Sequence, residues 1–519
     1  MSEADTTPEP FDWHPEPELV GYRDPVTARV ALQALGAAAW AAALDYLYEE
    51  AMHRPIDAEP YPESRRRFFS GGHAPAPAPT SPSPSTEILD EFRRRLAPFM
   101  FNAAHPGSFS YFTPPPLAMS IVGEVLAQWV NQGVDVWHAG PAAAFVEEEV
   151  IAWVRDLVGY GEGSFGVLTS GGVMANLMAL TLARDIHLAR LLGRTDPPRG
   201  AALEGVRVYA SDQAHFSIAR SLDVLGFPPE TLRILSSDDG FRLRGAPVAE
   251  AVAADRAAGL TPLAIAAVSG STNTGSVDLV GELADVADRE DLWLHVDAAY
   301  GGAVRLSKRD AGRVPDLERA DTITIDPHKW FFQAYDIGGL MVKRREDLLN
   351  TFHRAPEYYR TTRPEDEPLH WYQYSLEGTR RFRALKLWLS WKHIGTEGFA
   401  RLIEANIDLA AYLAGRCRES DDFEALPEEP ELSVVCFRHV PGGREAAARL
   451  DPEALDAYQD RLQRALEASG EGWVSTTRLR GRTYLRAGIV NYLSTEADVD
   501  RMLAALRRLS GDVADGPTD

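Results

Sequence analysis

Between Phe165 and Val342 the chain alternates short apolar runs, many of them β-branched, with longer stretches of mixed polarity. The runs centre near Val167, Val208, Ile234, Ile265, Leu294, Ile323 and Leu340, and they read as strands with helices between them. Such alternation predicts a mostly parallel, seven-stranded α/β sheet flanked by helices. Before it, a helical pattern covers Thr27 to Met52 and leads to a proline- and alanine-rich linker, Gly71 to Ser85, expected to be extended. After Glu377 a long helix runs through Trp391. It leads to a smaller α+β unit with strands near Val435, Val474 and Arg486 and a last helix near Met502. The expected organisation is an N-terminal helical segment (1–110), a large domain (111–377) and a small C-terminal α+β domain (378–519), with no internal repeat.

Chemistry-bearing residues fall at the carboxyl ends of these strands, where open α/β sheets bind ligands. Asp326-Pro327-His328-Lys329-Trp330 follows the run Thr322 to Ile325. A lysine desolvated at a strand end can attack a carbonyl, as a Schiff-base lysine must, although a lysine reaching from a strand end to solvent gives the same pattern. Leu292-Trp293-Leu294-His295-Val296-Asp297-Ala298-Ala299-Tyr300 delivers a carboxylate from another strand. A carboxylate that keeps a pyridine nitrogen protonated, opposite a lysine that holds an aldehyde, is what pyridoxal phosphate requires. Ala299 is small enough for a ring to lie flat on the backbone; alone, Asp297 could equally cap a turn. Gly171-Gly172 follows the strand Phe165 to Ser170 and opens a helix, whose first N–H groups form an anion site, or simply a tight turn. His215, after the strand Val206 to Ala210, could stack on a pyridine ring or be an ordinary structural histidine.

Four such elements in chain order resemble the group II pyridoxal-phosphate decarboxylases, the family of the aromatic L-amino-acid decarboxylases. The likeness extends from Asp45-Tyr46-Leu47 and Arg54-Pro55, through His105-Pro106, Tyr111-Phe112 and Asn131-Gln132, to the segment Gly378 to Trp388 and the strand Leu485 to Gly488. It implies a fold-type-I enzyme with pyridoxal 5'-phosphate on Lys329, Asp297 at the ring nitrogen and His215 against the ring. Gly171, Gly172 and His328 would lie near the phosphate and Thr272 close to the cofactor. Tyr358, in Phe352 to Tyr359, matches the loop tyrosine that returns a proton after carbon dioxide leaves; Tyr359 is the adjacent alternative. The acidic, proline-bearing loop Thr361 to His370 suits a segment that opens and closes. Three departures stand out. Val173 replaces a small hydroxyl residue at the phosphate turn, Asp326 replaces a frequent asparagine and puts a charge beside the lysine, and Thr113-Pro114-Pro115-Pro116 differs where relatives read the substrate.

The resemblance implies decarboxylation of an L-amino acid, aromatic in view of Tyr300 and Trp330, to an amine and carbon dioxide. Glutamate decarboxylation is less favoured. Oxidative deamination to an aldehyde is the nearest rival, disfavoured by the presence of Tyr358; an aminotransferase or lyase ranks below it, and intact Lys329, Asp297 and His215 argue against a catalytically silent scaffold. A homodimer with sites at the interface is also implied.

Composition narrows the partners. The 519 residues carry 45% hydrophobic and 25% charged side chains, ordinary for a soluble enzyme, and more than one core is expected. A net charge of -23 argues against nucleic acid and anionic membranes as partners. Arg65-Arg66-Arg67 and Arg93-Arg94-Arg95 are short enough to be solvated helix faces or intersubunit contacts. Two cysteines, an acidic N-terminus without an export signal and no apolar run of membrane-spanning length lead us to expect a cytoplasmic protein.

Overall fold

The computed structural model describes residues 25–69, 77–81, 83–354, 368–447 and 449–514. Seven strands form where the apolar runs lie: β1 (Phe165–Thr169), β2 (Val206–Ser211), β3 (Leu232–Leu235), β4 (Thr261–Val268), β5 (Trp293–Asp297), β6 (Thr322–Ile325) and β7 (Gly338–Val342). They make one sheet in the order β1-β7-β6-β5-β4-β2-β3. β7 is antiparallel to both neighbours and every other pairing is parallel. Hence β1, β2, β4, β5 and β6 all point one way and their carboxyl ends open on one edge. Continuous burial of β1, β5, β6 and β7 explains their unbroken hydrophobicity, because helices cover such strands from both faces. β1 and β3 are the edge strands, and Ile234 on β3 is exposed.

An N-terminal helix, α1 (Pro25–Asp45), continues into irregular helical turns as far as His53. It corrects one expectation. Arg29–Glu49 is a 21-residue stretch long and apolar enough to cross a membrane by length and composition alone, with a mean hydropathy of 1.3. Eight of its residues are alanine and its four leucines stand apart, so no compact run of bulky apolar side chains marks it. Much of the linker Gly71 to Ser85 lies outside the described residues.

Among the helices that precede the sheet are α2 (Ala118–Val130) and α3 (Pro141–Val158). After β1 comes α4 (Gly172–Leu182), almost wholly buried, and after β2 comes α5 (Ser217–Val224). The connections α6 (Gly245–Ala257), α7 (Val280–Glu290) and α8 (Arg345–Phe352) complete the large unit. The expected long helix is α9 (Ala384–Glu419), broken at Gly395, where φ 63° and ψ 173° leave the helical region. Its first half joins the core of the large sheet through Leu387, Phe399 and Ile403, and its end joins a second core through Leu413 and Cys417. That second core lies beneath an antiparallel sheet of order β10-β11-β9-β8, formed by β8 (Phe423–Ala425), β9 (Val434–His439), β10 (Ser475–Leu479) and β11 (Arg482–Gly488). Helices α10 (Pro452–Ser469) and α11 (Glu496–Ala514) pack there through Leu462, Leu466, Met502 and Leu506.

Candidate active site

Five strand ends converge on a cavity of about 400 Å³. From the turn after β1 come Gly171, Gly172 and Val173; from beyond β2, His215; from beyond β4, Thr272. β5 supplies Asp297 and Ala299, and the turn after β6 supplies Asp326, His328 and Lys329. All ten residues named from the sequence as cofactor contacts therefore line one space. Tyr358 and Tyr359 lie outside the described residues, as does most of the loop Thr361 to His370.

The lysine turn is held by its own backbone, Lys329 N donating to Asp326 O at 2.9 Å. Lys329 Nζ lies 3.5 Å from Asp326 Oδ2 and 6.0 Å from the centre of the Phe112 ring. Phe112 stacks on Tyr300 at 4.2 Å, and Tyr300 on Trp330 at 4.7 Å, so an aromatic ladder stands beside the amine. His328 packs on Tyr335 with ring centres 4.6 Å apart, and burial lowers its pKa. Tyr335 Oη shares a hydrogen bond of 3.0 Å with Thr113 Oγ1.

The start of α4 differs from the sequence reading in one respect. The first intrahelical bond runs from Ala175 N to Gly171 O, and the earlier N–H groups should be free for an anion. Gly172 N instead donates to Asp326 Oδ2 at 3.0 Å. The N–H groups of Val173 and Met174, which also line the cavity, lie ahead of the first intrahelical bond. Both glycines are needed for close approach. A Cβ on Gly172 would sit 2.8 Å from Asp326 Oδ2, and Gly171 has φ +153° with His328 Cε1 at 3.3 Å from its Cβ position.

Asp297 is 7% exposed and bonded on both oxygens within the protein: Oδ1 accepts from Ala299 N at 3.2 Å and Oδ2 from Asn176 Nδ2 at 2.8 Å. His215 is half-buried, with Nδ1 2.8 Å from Ser217 Oγ and 3.3 Å from Ser217 N. Burial lowers its pKa, against the opposing pull of Asp297. Sequence reasoning assigned no role to Asn176, Ser217, Tyr335 or the ladder on Phe112. A signal existed for Asn176 alone: a single amide inside an apolar helix has to be hydrogen-bonded if that helix is buried.

The profile described as the pyridoxal-dependent decarboxylase conserved domain matches residues 66–440. An aromatic-L-amino-acid decarboxylase of Bacillus atrophaeus is 31% identical over 82% of this chain and 86% of its own. An L-2,4-diaminobutyrate decarboxylase of Acinetobacter baumannii is 29% identical over 77% of this chain and 79% of its own. Among solved structures, Oryza sativa TDC with PLP and tryptamine superposes with a TM-score of 0.84 at 28% identity, covering 93% of this chain and 98% of that one.

Proposed function

The chain belongs to the pyridoxal-dependent decarboxylase family and is a pyridoxal 5'-phosphate-dependent amino-acid decarboxylase; within that activity we propose that its substrate is an aromatic L-amino acid. The observation that carries the proposal is the ring of Phe112, whose centre lies 6.0 Å from Lys329 Nζ and which is backed in turn by Tyr300 and Trp330. Aromatic rings favour one another in offset or edge contacts, so this wall suits a ring on the substrate.

The residues present fit the cofactor. A primary amine, a carboxylate, an imidazole and a helix start line one cavity of about 400 Å³, within the size range of small-molecule sites. Lys329 would hold the aldehyde, Asp297 the ring nitrogen and His215 the ring face, with Ala299 leaving room on the other side. Val173 and Met174 N–H groups and His328 would hold the phosphate, and Thr272 would border the cofactor. Pyridoxal 5'-phosphate supplies the carbonyl that bonds the substrate amine and the ring that takes up the electron pair released with carbon dioxide.

This chain's own residues divide the remaining work. Lys329 Nζ would hold the aldehyde until the substrate amine displaces it, and its freed amine would then be placed to move a proton. Asp297 keeps a proton at the ring nitrogen, a charge placed before the reaction begins and therefore needing no reorganisation during it. Phe112, held by its stacking on Tyr300, borders the amine, orients the substrate ring and helps to exclude water. Tyr358 returns the proton to the substrate carbon, which makes the product an amine.

We further propose a cytoplasmic homodimer. Apolar Leu126, Trp129 and Val130 on α2 and Trp40 and Leu44 on α1 are exposed in one protomer, a surface that a second copy would cover. Cys417 and Cys436 are both buried and free. Light scattering of the purified protein reads the oligomeric state. The substrate test is a screen of the holoenzyme against tyrosine, tryptophan, DOPA, phenylalanine, glutamate and 2,4-diaminobutyrate, with carbon dioxide and ammonia measured separately. Preference for either non-aromatic substrate would overturn the aromatic assignment while leaving the decarboxylase intact.

A further inference from the structure

Asn176 is the one amide on a buried helix face that is otherwise apolar apart from Thr181, and it is 1% exposed. All of its hydrogen-bonding capacity is used. Nδ2 donates to Asp297 Oδ2 and to Ser217 Oγ, each at 2.8 Å. Oδ1 accepts from Thr324 Oγ1 at 2.6 Å and from His295 Nε2 at 3.0 Å. An amide offers two donors and two acceptor sites, so these four contacts settle its orientation. Rotating it by half a turn would oppose an amide oxygen to the carboxylate.

The same contacts fix the hydrogens around it. Asp297 accepts only, so one Nδ2 hydrogen points at Oδ2 and the other at Ser217 Oγ. Ser217 therefore has its own hydrogen to give, and His215 Nδ1, which already accepts from Ser217 N, receives it. His215 is left with its hydrogen on Nε2. On the other side His295 Nε2 must carry a hydrogen for Asn176 Oδ1, which leaves Nδ1 to accept from Thr322 Oγ1 at 3.0 Å. Thr322 Oγ1 in turn accepts from Trp293 Nε1 at 3.1 Å. Every donor in this buried line points the same way, from Trp293 through Thr322, His295 and Asn176 to Asp297 and His215.

We propose that Asn176 is a positioning residue that anchors the Asp297 carboxylate and, through Ser217, fixes the tautomer of His215, so that one side chain sets both groups that face the cofactor ring. The proposal rests on the assignment of Asp297 to the ring nitrogen. A hydrogen bond donated to a carboxylate favours its ionised form. Without that bond the carboxylate is free to turn away from the place of the ring nitrogen, which would then hold its proton less well.

The test uses holoenzyme reconstituted with cofactor labelled with nitrogen-15 in its ring, read by solid-state NMR, with steady-state kinetics alongside. Asn176→Ala should move the ring-nitrogen resonance toward the unprotonated position. Its kcat should fall about 10- to 100-fold, the scale of losing one hydrogen bond to a charged group, with KM changed far less. Thr324→Val, nearly isosteric, removes only the 2.6 Å bond to Asn176 and should shift the resonance the same way by less. It keeps the proposal open to test if the alanine variant does not fold. An Asp297→Asn comparison separates the two assignments. A resonance moved by Asp297→Asn but unmoved by both Asn176→Ala and Thr324→Val overturns the role of Asn176 alone. A resonance unmoved by all three overturns the placement of Asp297 as well.

Discussion

The carboxylate of Asp326 accepts the N–H of Gly172 at 3.0 Å, joining the turn after β6 to the turn after β1. The same oxygen lies 3.5 Å from Lys329 Nζ and 3.6 Å from His328 Nε2. One side chain thus ties the lysine to the helix start on which the phosphate would rest. Replacement by alanine should free both turns and raise the cofactor Kd about tenfold or more, since hydrogen bonds to charged groups contribute about 1.5–3 kcal/mol. Absorbance titration of the apoprotein with cofactor measures it. An unchanged Kd would mean that Asp326 does not brace the site.

Lys329→Ala is expected to abolish turnover and the borohydride-reducible bond to the cofactor, while non-covalent binding persists. Among the cavity residues it is the one that carries a primary amine. Peptide mapping after reduction reads the result, and a trapped adduct elsewhere on the chain would reassign the lysine.

For Asp297→Asn the fold should hold, because an amide of the same shape fills the position. What is lost is the charge opposite the ring nitrogen. Removing one such stabilising group costs about 3 kcal/mol of barrier, or about a hundredfold in kcat, and cofactor affinity should change much less. Near-native turnover would eliminate the electrostatic role of Asp297.

Tyr358→Phe separates amine from aldehyde. Tyr358 belongs to a segment outside the described residues, and the expectation comes from its match to the family's proton donor. Without the hydroxyl, the substrate carbon waits longer for its proton and becomes open to oxygen, so amine formation should slow while aldehyde and ammonia appear. Amine, aldehyde and ammonia are assayed together. Undiminished amine in the variant would pass the role to Tyr359 or another donor, and aldehyde as the main product of the unaltered enzyme would replace the decarboxylase reading with its rival.

His295 predicts an acid dependence of stability. Burial drives its pKa down from 6.5 to about 4, so the folded protein keeps it neutral where the unfolded chain takes up a proton. The unfolded state then binds more protons between these values, and stability falls as pH drops from 6.5 toward 4. Urea unfolding across that window should show a shallower pH slope in His295→Gln than in the unaltered protein. Parallel slopes would remove His295 from the account.

What the sequence made legible was the architecture along the chain. Seven apolar runs became seven strands, most of them because buried strands leave an unbroken hydrophobic imprint, and Asp297 ends one of them while His215 and Lys329 follow two others within four residues. Three-residue β8 left no such imprint. Asn176 was hidden for a different reason. Its partners Asp297 and His295 come from β5, Thr324 from β6 and Ser217 from the start of α5, and only the folded sheet brings them around one side of α4. Likewise, Gly172 and Asp326 are 154 positions apart, so no local motif could reveal that the helix start spends its first donor there.

Beneath the cofactor turn lies Gly338, the first residue of β7. A Cβ there would fall 2.5 Å from Gly171 Cα and 2.6 Å from Asp326 Oδ1. The two turns therefore pack directly on bare main chain, at a spot where any side chain would push both out of place. Attempts to enlarge or reshape this enzyme for other amino acids have freedom on the Phe112 and Tyr335 side, but none at this base. An engineered library should vary the aromatic wall and hold Gly338 fixed.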